Sequence, residues 1–272
     1  MDYLPPPSES EPSPPNVTKR RSAGGAAGAA AAAALAFLAK FKFALLVGLK
    51  LLAPSWTFLL SLWLYVVLFG WRLAIVVMFV LLAHELGHYF AFRAYGLPVR
   101  LPAFVPLLGA FTAGAAPENL EHDAYIALAG PLTGFGLAAA CLAVAANTGD
   151  RFWYACADVS AFLNLFNMLP VPPFDGGRIA GALWPPLWIA GILGFIAFAA
   201  YFHVPIFFVI LIGALALPSL LAALRGRVDP RAATMTTGAR VRVSLWYLAT
   251  VIGLLYVMAE AHAIAVPGGL NG

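Results

Sequence analysis

Long apolar runs, separated by short polar or proline-rich stretches, dominate this sequence from about residue 52 onward. A helix that crosses a lipid bilayer needs about 20 consecutive, mostly apolar residues. The runs predict membrane-spanning helices over residues 52–70, 72–94, 123–146, 152–169, 187–202, 205–224 and 243–260. We therefore expect an all-α integral membrane protein with about six or seven transmembrane helices.

The stretch between the second and third predicted helices breaks this pattern. It is apolar, but Pro98, Pro102 and Pro106 recur every four residues in "GLPVRLPAFVPLLGAF", and proline at this density excludes a continuous helix. Irregular backbone at membrane depth is tolerated only where it packs on protein or lines a cavity. We therefore expect a short extended hairpin that dips into the membrane after the second helix.

The beginning of the chain lacks long apolar runs. Residues 1–34 are first rich in Pro and Ser and then in Ala and Gly, so we expect a disordered, low-complexity tail. The basic and apolar mixture in "KFKFALLVGLK" favours an amphipathic helix over 35–51 that lies in the membrane interface. The remaining chain divides into a membrane core over 52–186, which carries the candidate chemistry, additional transmembrane helices over 187–262 and a short tail over 263–272.

The composition agrees with a membrane protein. Of the 272 residues, 62% are hydrophobic and only 10% are charged, with a mean hydropathy of +0.87, whereas soluble domains contain about 25% charged residues. The pI of 9.2 does not indicate nucleic-acid binding, because the basic residues flank the apolar runs instead of forming a stripe. Cys141 and Cys156 have neither metal-site nor disulfide spacing, and we expect them to be small buried residues.

The positions of Lys and Arg predict the orientation in the membrane. With the predicted spans, 14 of the 16 basic residues fall on one side, and only Arg72 and Arg151 fall on the other. The larger group consists of Lys19, Arg20, Arg21, Lys40, Lys42, Lys50, Arg93, Arg100, Arg178, Arg225, Arg227, Arg231, Arg240 and Arg242. We expect this side, with the N-terminus, to be cytoplasmic and the C-terminus to be outside, most simply in a bacterial cytoplasmic membrane.

Three ionisable residues interrupt the second predicted helix, in "FVLLAHELGHYFAF" at 79–92. His84 and His88 are four residues apart, so they share one helix face and can bind one metal ion. Glu85 is placed beside such an ion, where its carboxylate suits a general base better than a ligand. Charged groups at mid-membrane cost roughly 2.5–3.5 kcal/mol each. These residues therefore need a compensating partner, and a metal ion is the simplest one.

A catalytic zinc site usually has three protein ligands and one open position, so a third ligand is required. The best candidate is Asp175 in "NLFNMLPVPPFDGGRI" at 164–179, where prolines must break the fourth predicted helix. A carboxylate at a broken membrane helix is expected to be functional, although Asp175 also suits the N-cap of the helix that follows. The ligand types alone do not distinguish zinc from another divalent metal.

These motifs together resemble those of the site-2 protease family of intramembrane zinc metalloproteases. "HELGH" at 84–88 matches the family pattern HExxH, and "NMLPVPPFDGG" at 167–177 matches NxxPxPxxDG. "AGPLTG" at 129–134 is similar to a glycine-containing motif of the family, and the resemblance covers roughly residues 50–185. It implies that zinc is bound by His84, His88 and Asp175, that Glu85 is the catalytic base, and that Asn167 contacts substrate or the reacting carbonyl.

Some residues keep a second interpretation. Asn167 is equally suited to satisfying backbone groups that Pro170 leaves free. Gly130 and Gly134 are expected to serve close helix packing rather than chemistry. The sequence departs from many relatives at Gly134, where they have asparagine, and its loops are too short to contain a PDZ domain.

The resemblance implies a zinc endopeptidase that hydrolyses peptide bonds within transmembrane segments of other membrane proteins in the lipid bilayer. A metal transporter that uses the same His/Asp cluster should show further ligands along a path and an internal repeat, and the sequence shows neither. An inactive, protease-like scaffold is disfavoured because Glu85 is present. Since hydrolysis requires extended substrate, we expect the hairpin around 99–108 to offer it a strand edge.

Overall fold

Helices form most of the structure, a computed structural model that describes residues 40, 42, 56–106, 109–201, 203–226 and 229–265. The α-helices are α1 (Trp56–Phe69), α2 (Trp71–Ala94), α3 (Leu120–Thr148), α4 (Arg151–Asn167), α5 (Asp175–Leu183), α6 (Leu187–Tyr201), α7 (Ile206–Leu224) and α8 (Thr237–Ala265). A 3-10 helix, Pro230–Thr234, precedes α8. The predicted tail 1–34, nearly all of the predicted interfacial helix 35–51 and residues 266–272 lie outside the described residues.

A helix lies at each predicted span. By length and composition, α2, α3, α7 and α8 are long and apolar enough to cross a membrane, whereas α1 and α6 are apolar but shorter. The mainly helical architecture is therefore confirmed, with four candidate spans in the described part of the chain, and the count of six or seven stays a prediction. The short helix α5 agrees with the helix expected after Asp175, although its nine residues are too few for a predicted membrane span.

The predicted hairpin after α2 is present. Strand β1 (Ala103–Val105) pairs antiparallel with β2 (Gly109–Phe111), and the bridge between Val99 and Gly114 continues the pairing. Phe104 of β1 is buried and packs edge-on against Phe58 of α1, with ring centroids 4.9 Å apart. Packing against α1 and α2 explains why so short a hairpin is ordered, since isolated two-stranded hairpins are marginally stable.

Helix α3 lies at the centre of the helical core, where it contacts α2, α4, α5 and α8. Small side chains let these helices approach closely. Those that are fully buried on α3 and α4 include Ala127, Ala138, Ala145, Ala157 and Ala161. The histidine-bearing helix α2 therefore packs against a tight group of helices, which fixes the position of its side chains.

Candidate metal centre

Three side chains from distant parts of the chain converge at one point in the protein interior. His84 and His88 lie one turn apart on α2, and Asp175 is the first residue of α5. Oδ2 of Asp175 lies 3.0 Å from Nε2 of His84 and 3.1 Å from Nε2 of His88, and the two Nε2 atoms are 3.0 Å apart. All three side chains are buried. Their donor atoms are close enough for one ion to contact all of them, since zinc lies about 2.0–2.2 Å from nitrogen and oxygen ligands.

The path of the chain between α4 and α5 brings Asp175 to the histidines. A proline-rich segment over 168–174 connects the two helices. Gly176 and Gly177 lie so close to this segment that a Cβ atom on either would overlap its backbone atoms. The close backbone approach therefore requires glycine at both positions. Asp175 itself is not the N-cap of α5, because Phe174 occupies that position and the aspartate carboxylate is directed at the histidines.

Hydrogen bonds to the other ring nitrogens fix both imidazoles. Nδ2 of Asn164 donates to the carbonyl of Ser160 at 2.8 Å, so its Oδ1 accepts from Nδ1 of His84 at 2.7 Å. Nδ1 of His88 donates to the carbonyl of Ile126 at 2.7 Å. Because both Nδ1 atoms carry the proton, each neutral ring presents an unprotonated Nε2 toward the centre.

The resulting arrangement fits a cation. With both imidazoles neutral and Nδ1 protonated, two Nε2 lone pairs and the Oδ2 lone pairs of Asp175 face one another at 3.0–3.1 Å. Buried acceptors without donors are energetically costly. A metal ion removes this cost because it accepts all three electron pairs, and two imidazoles with one carboxylate form a ligand set that zinc uses.

Glu85 stands beside this centre. Its carboxylate offers an oxygen within 4.8 Å of the histidine donor atoms. The side chain is buried, and its Oε2 has no hydrogen-bond partner among the described residues. Since Asp175 is already in direct contact with both imidazoles, Glu85 is not needed to complete a three-ligand set. An unpartnered carboxylate oxygen at this position is able to accept a proton from a water molecule in the site.

Two glycines of α3 leave room for these side chains. A Cβ atom on Gly130 would overlap Nε2 of both histidines, and one on Gly134 would overlap the side-chain amide of Asn164. The expectation that Gly130 and Gly134 serve close packing is therefore refined, because the groups packed against them belong to the site. Asn164 was not among the predicted site residues, although a second polar residue in an apolar run, three positions before Asn167, was a usable signal.

Asn167 lies at the wall of the same centre without contacting the histidines. Its Nδ2 donates to the carbonyl of Leu163 at 3.2 Å, within its own helix, and the residue lines a cavity shared with Glu85. In a continuous helix residue 170 would donate to the carbonyl of Phe166, which instead accepts from the backbone N–H of Leu169, so Asn167 satisfies a different carbonyl from the one that Pro170 leaves free. Its role in substrate binding stays a prediction.

A cavity of about 750 Å³ adjoins the centre. It is lined by the histidines, Glu85 and the strand β2. Apolar residues of α6 and α7, among them Phe195, Phe208, Leu211 and Ile212, also line it. The volume falls within the range of about 300–1,000 Å³ that is usual for ligand sites, and the walls suit an apolar ligand.

Comparison with known proteins identifies related chains. A zinc metalloprotease of Methanocaldococcus jannaschii is 30% identical over 119 residues, which are 42% of this chain and 34% of that protein. Rip3 of Mycobacterium tuberculosis, named as a candidate zinc metalloprotease, is 37% identical over 122 residues, which are 41% of this chain and 30% of that protein. The chain matches only about a third of the length of these curated relatives.

A solved structure of a site-2 protease from Methanocaldococcus jannaschii is also similar. It aligns over 80% of this chain and 90% of that chain, with 19% sequence identity and a TM-score of 0.41. Similarity at this level is too low to support a conclusion about the fold.

A family model matches a longer part of the chain than the single relatives do, and it identifies the family. A sequence model of peptidase family M50 matches residues 72–150 and 143–212, which together exceed half of the 272 residues. The matched region contains both "HELGH" and the proline-rich motif that ends in Asp175. The chain therefore belongs to peptidase family M50, the family of the site-2 proteases.

Proposed function

We propose that this protein is an intramembrane zinc endopeptidase that hydrolyses peptide bonds within transmembrane segments of other membrane proteins. One observation carries the proposal: Nε2 of His84, Nε2 of His88 and Oδ2 of Asp175 converge beside the unpartnered carboxylate oxygen of Glu85. Membership of peptidase family M50 and the zinc metalloproteases among its relatives support the same function.

His84, His88 and Asp175 would hold the zinc ion. When bound, zinc acidifies a water molecule and offsets the negative charge that develops on the oxygen of the attacked carbonyl. Asn164 and Ile126 keep the two imidazoles in the tautomer that leaves Nε2 free for the metal. The two α3 glycines leave the space that these rings and Asn164 occupy.

Glu85 supplies the proton transfer. Its Oε2 accepts a proton from the attacking water as the water oxygen bonds to the peptide carbon. The protonated carboxylic acid then donates the same proton to the amide nitrogen as the carbon–nitrogen bond breaks. Burial of Glu85 suits this role, since no donor among the described residues competes for Oε2.

The hairpin is suited to holding the substrate extended. Helical backbone hides its peptide bonds in internal hydrogen bonds, so the cleaved segment must unwind and find other partners within the membrane. Gly109, Ala110 and Phe111 of β2 line the cavity, at an edge of a two-stranded sheet. We infer that the substrate pairs with β2 by strand addition, while the apolar residues of α6 and α7 contact its side chains.

The metal-transport alternative has weaker support. Transport requires successive ligand groups along a path, and in the described part of the chain His84, Glu85 and His88 form the only group of three or more candidate metal-binding residues. That group adjoins Asp175 and lies beside one cavity.

Cleavage of a membrane-embedded substrate by the purified protein tests the proposed function. A single-span peptide in detergent or vesicles should be cut within its apolar segment. A zinc chelator should stop the reaction, its non-chelating isomer should not, and added zinc should restore it. Cleavage that continues after complete metal removal would refute the proposal.

A further inference from the structure

The carboxylate of Asp175 contacts the imidazoles through only one of its two oxygens. Oδ2 faces Nε2 of both histidines, whereas Oδ1 lies 3.8 Å from Nη1 of Arg178. Arg178 is one helical turn further along α5. At this distance the contact is an ion pair rather than a direct hydrogen bond. The positive charge of Arg178, whose side chain is 36% exposed, nevertheless gives the second oxygen of the buried Asp175 a partner.

Arg178 is itself held by a residue of α3. Its Nη2 donates to Oδ1 of Asp123 at 2.6 Å, and Oδ2 of the same aspartate lies 3.3 Å from Nη1 of Arg231. Asp123 thus joins two arginines that are 53 residues apart in the sequence. Its side chain is only 17% exposed, which limits screening of these charges by solvent.

Arg231 is fixed in turn at the 3-10 helix. It forms a double contact with Asp229, at 2.8 and 3.1 Å, and donates to the carbonyl of Pro117 at 2.9 Å. The hydrogen bond between the two side chains lowers the pKa of Asp229 and raises the pKa of Arg231. Both groups are therefore charged at neutral pH, and carboxylates alternate with guanidinium groups from Asp175 to Asp229.

The fork of an arginine side chain suits the position of Arg178. One terminal nitrogen is directed at Asp175 and the other at Asp123, so a single planar cation serves two carboxylates. A lysine ammonium is a point charge that lacks this geometry. Groups that contact a metal ligand from outside commonly set its orientation, and their loss costs about 10–100-fold in metal affinity or activity.

We propose that Arg178, anchored by Asp123, is a positioning residue for the metal centre: it holds Oδ1 of Asp175 so that Oδ2 stays directed at the two imidazoles. This inference rests on the proposed function, because it concerns the metal of that function. The charged contacts of Asp123 join α3, α5 and the 3-10 helix. In this proposal they also orient a ligand of the metal.

Zinc affinity of the purified, full-length protein tests this inference without reference to cleavage. Competition with a chromophoric chelator gives the dissociation constant for wild type and each variant. Arg178→Gln should weaken zinc binding about 10–100-fold, and Asp123→Asn should weaken it in the same direction. Arg178→Lys should recover part of the loss, because it restores the charge without the fork. The absorption spectrum of the cobalt-substituted protein should also change in Arg178→Gln, since it reports the ligand arrangement.

Arg242→Gln is the matched control. Nη2 of Arg242 contacts Oε1 of Glu121 at 2.6 Å, the same length as the contact between Arg178 and Asp123, and neither residue contacts Asp175. This variant should keep wild-type zinc affinity. A comparable loss in the control would show a general effect of removing an arginine and would overturn the inference.

The remaining outcomes are also distinct. Wild-type zinc affinity and cobalt spectrum in Arg178→Gln, with a raised KM for cleavage, would place Arg178 in substrate contact and refute its positioning role. If Arg178→Gln does not fold, unchanged zinc affinity in folded Asp123→Asn refutes the role instead. A wild-type protein that binds no zinc would contradict the proposed function itself, and the inference would fail with it.

Discussion

Asn164 accepts a hydrogen bond from Nδ1 of His84 at 2.7 Å, although the two residues are 80 positions apart in the sequence. The asparagine is fully buried on α4 and donates in turn to the carbonyl of Ser160. This pairing determines which nitrogen of His84 carries the proton. The chemistry proposed for α2 therefore depends on a side chain from another helix.

Replacement of Asn164 by leucine should weaken zinc binding about 10–100-fold, because the Nδ1 proton of His84 loses its acceptor and the ring is free to reorient. Chelator competition measures the change. Asn147→Leu is the control, since the side chain of Asn147 also donates to a carbonyl four residues earlier but is exposed. Unchanged zinc affinity in Asn164→Leu would show that this hydrogen bond does not support the metal centre.

Gly130→Ala should abolish zinc binding, because the added methyl group overlaps Nε2 of both histidines. The substitution otherwise favours the helix, since alanine has a higher helix propensity than glycine by about 1 kcal/mol. Gly136→Ala, on the same helix, is the control because a Cβ atom there meets no neighbouring atom within 4 Å. Zinc content and thermal unfolding should be measured together. Full zinc occupancy in folded Gly130→Ala would disprove the tight packing described for α3.

Photocrosslinkers along the hairpin should capture substrate in an alternating pattern, as expected when one strand pairs with another. Positions 105, 109, 110 and 111 border the cavity, but Ala110 pairs with Phe104 and packs on the same buried cluster, so positions 105, 109 and 111 should label strongly and position 110 weakly. Leu101 is exposed but does not line the cavity, so a probe at this position is the control. Labelling confined to the helix Ile206–Leu224 would contradict strand addition.

The charge asymmetry predicts that the loop after α2 faces the cytoplasm and that the connection between α3 and α4 faces outside. Fusions of a cytoplasm-dependent reporter at residue 100 should therefore be active, and fusions at residue 149 should be inactive. An export-dependent reporter should give the reverse pattern, and at residue 272 it should report the outside. The same sidedness at residues 100 and 272 would refute the predicted topology.

Local spacing allowed part of the site to be recognised from the sequence. His84 and His88 share a helix face because of the helical repeat alone, and the glycine pair after Asp175 indicated close backbone approach. Asn164 acquires its role only through helix packing, since His84 lies 80 residues away, and the residue that anchors Arg178, Asp123, lies 55 residues away although Asp175 is only three positions from Arg178. No local periodicity carries that information.

The same limit applies elsewhere in the chain. Asp158 is a carboxylate within α4. The residues near it in the sequence do not indicate its partner. In the structure its Oδ2 lies 3.0 Å from Nδ1 of His262, 104 residues away on α8. The helices could be predicted because apolar runs are local, whereas the contacts between them depend on which faces meet.

In the proposed mechanism Glu85 transfers a proton and does not hold the metal. Glu85→Gln conserves shape but removes the basic carboxylate, so zinc content should stay near the wild-type value while cleavage falls about 10²–10⁴-fold. His88→Ala should lose both zinc and cleavage, because it removes a proposed ligand. The most direct measurement is the rate at which purified Glu85→Gln cleaves a membrane-embedded substrate, with bound zinc quantified in the same sample. Retained zinc with nearly abolished cleavage is the predicted result, and cleavage at the wild-type rate would contradict the account.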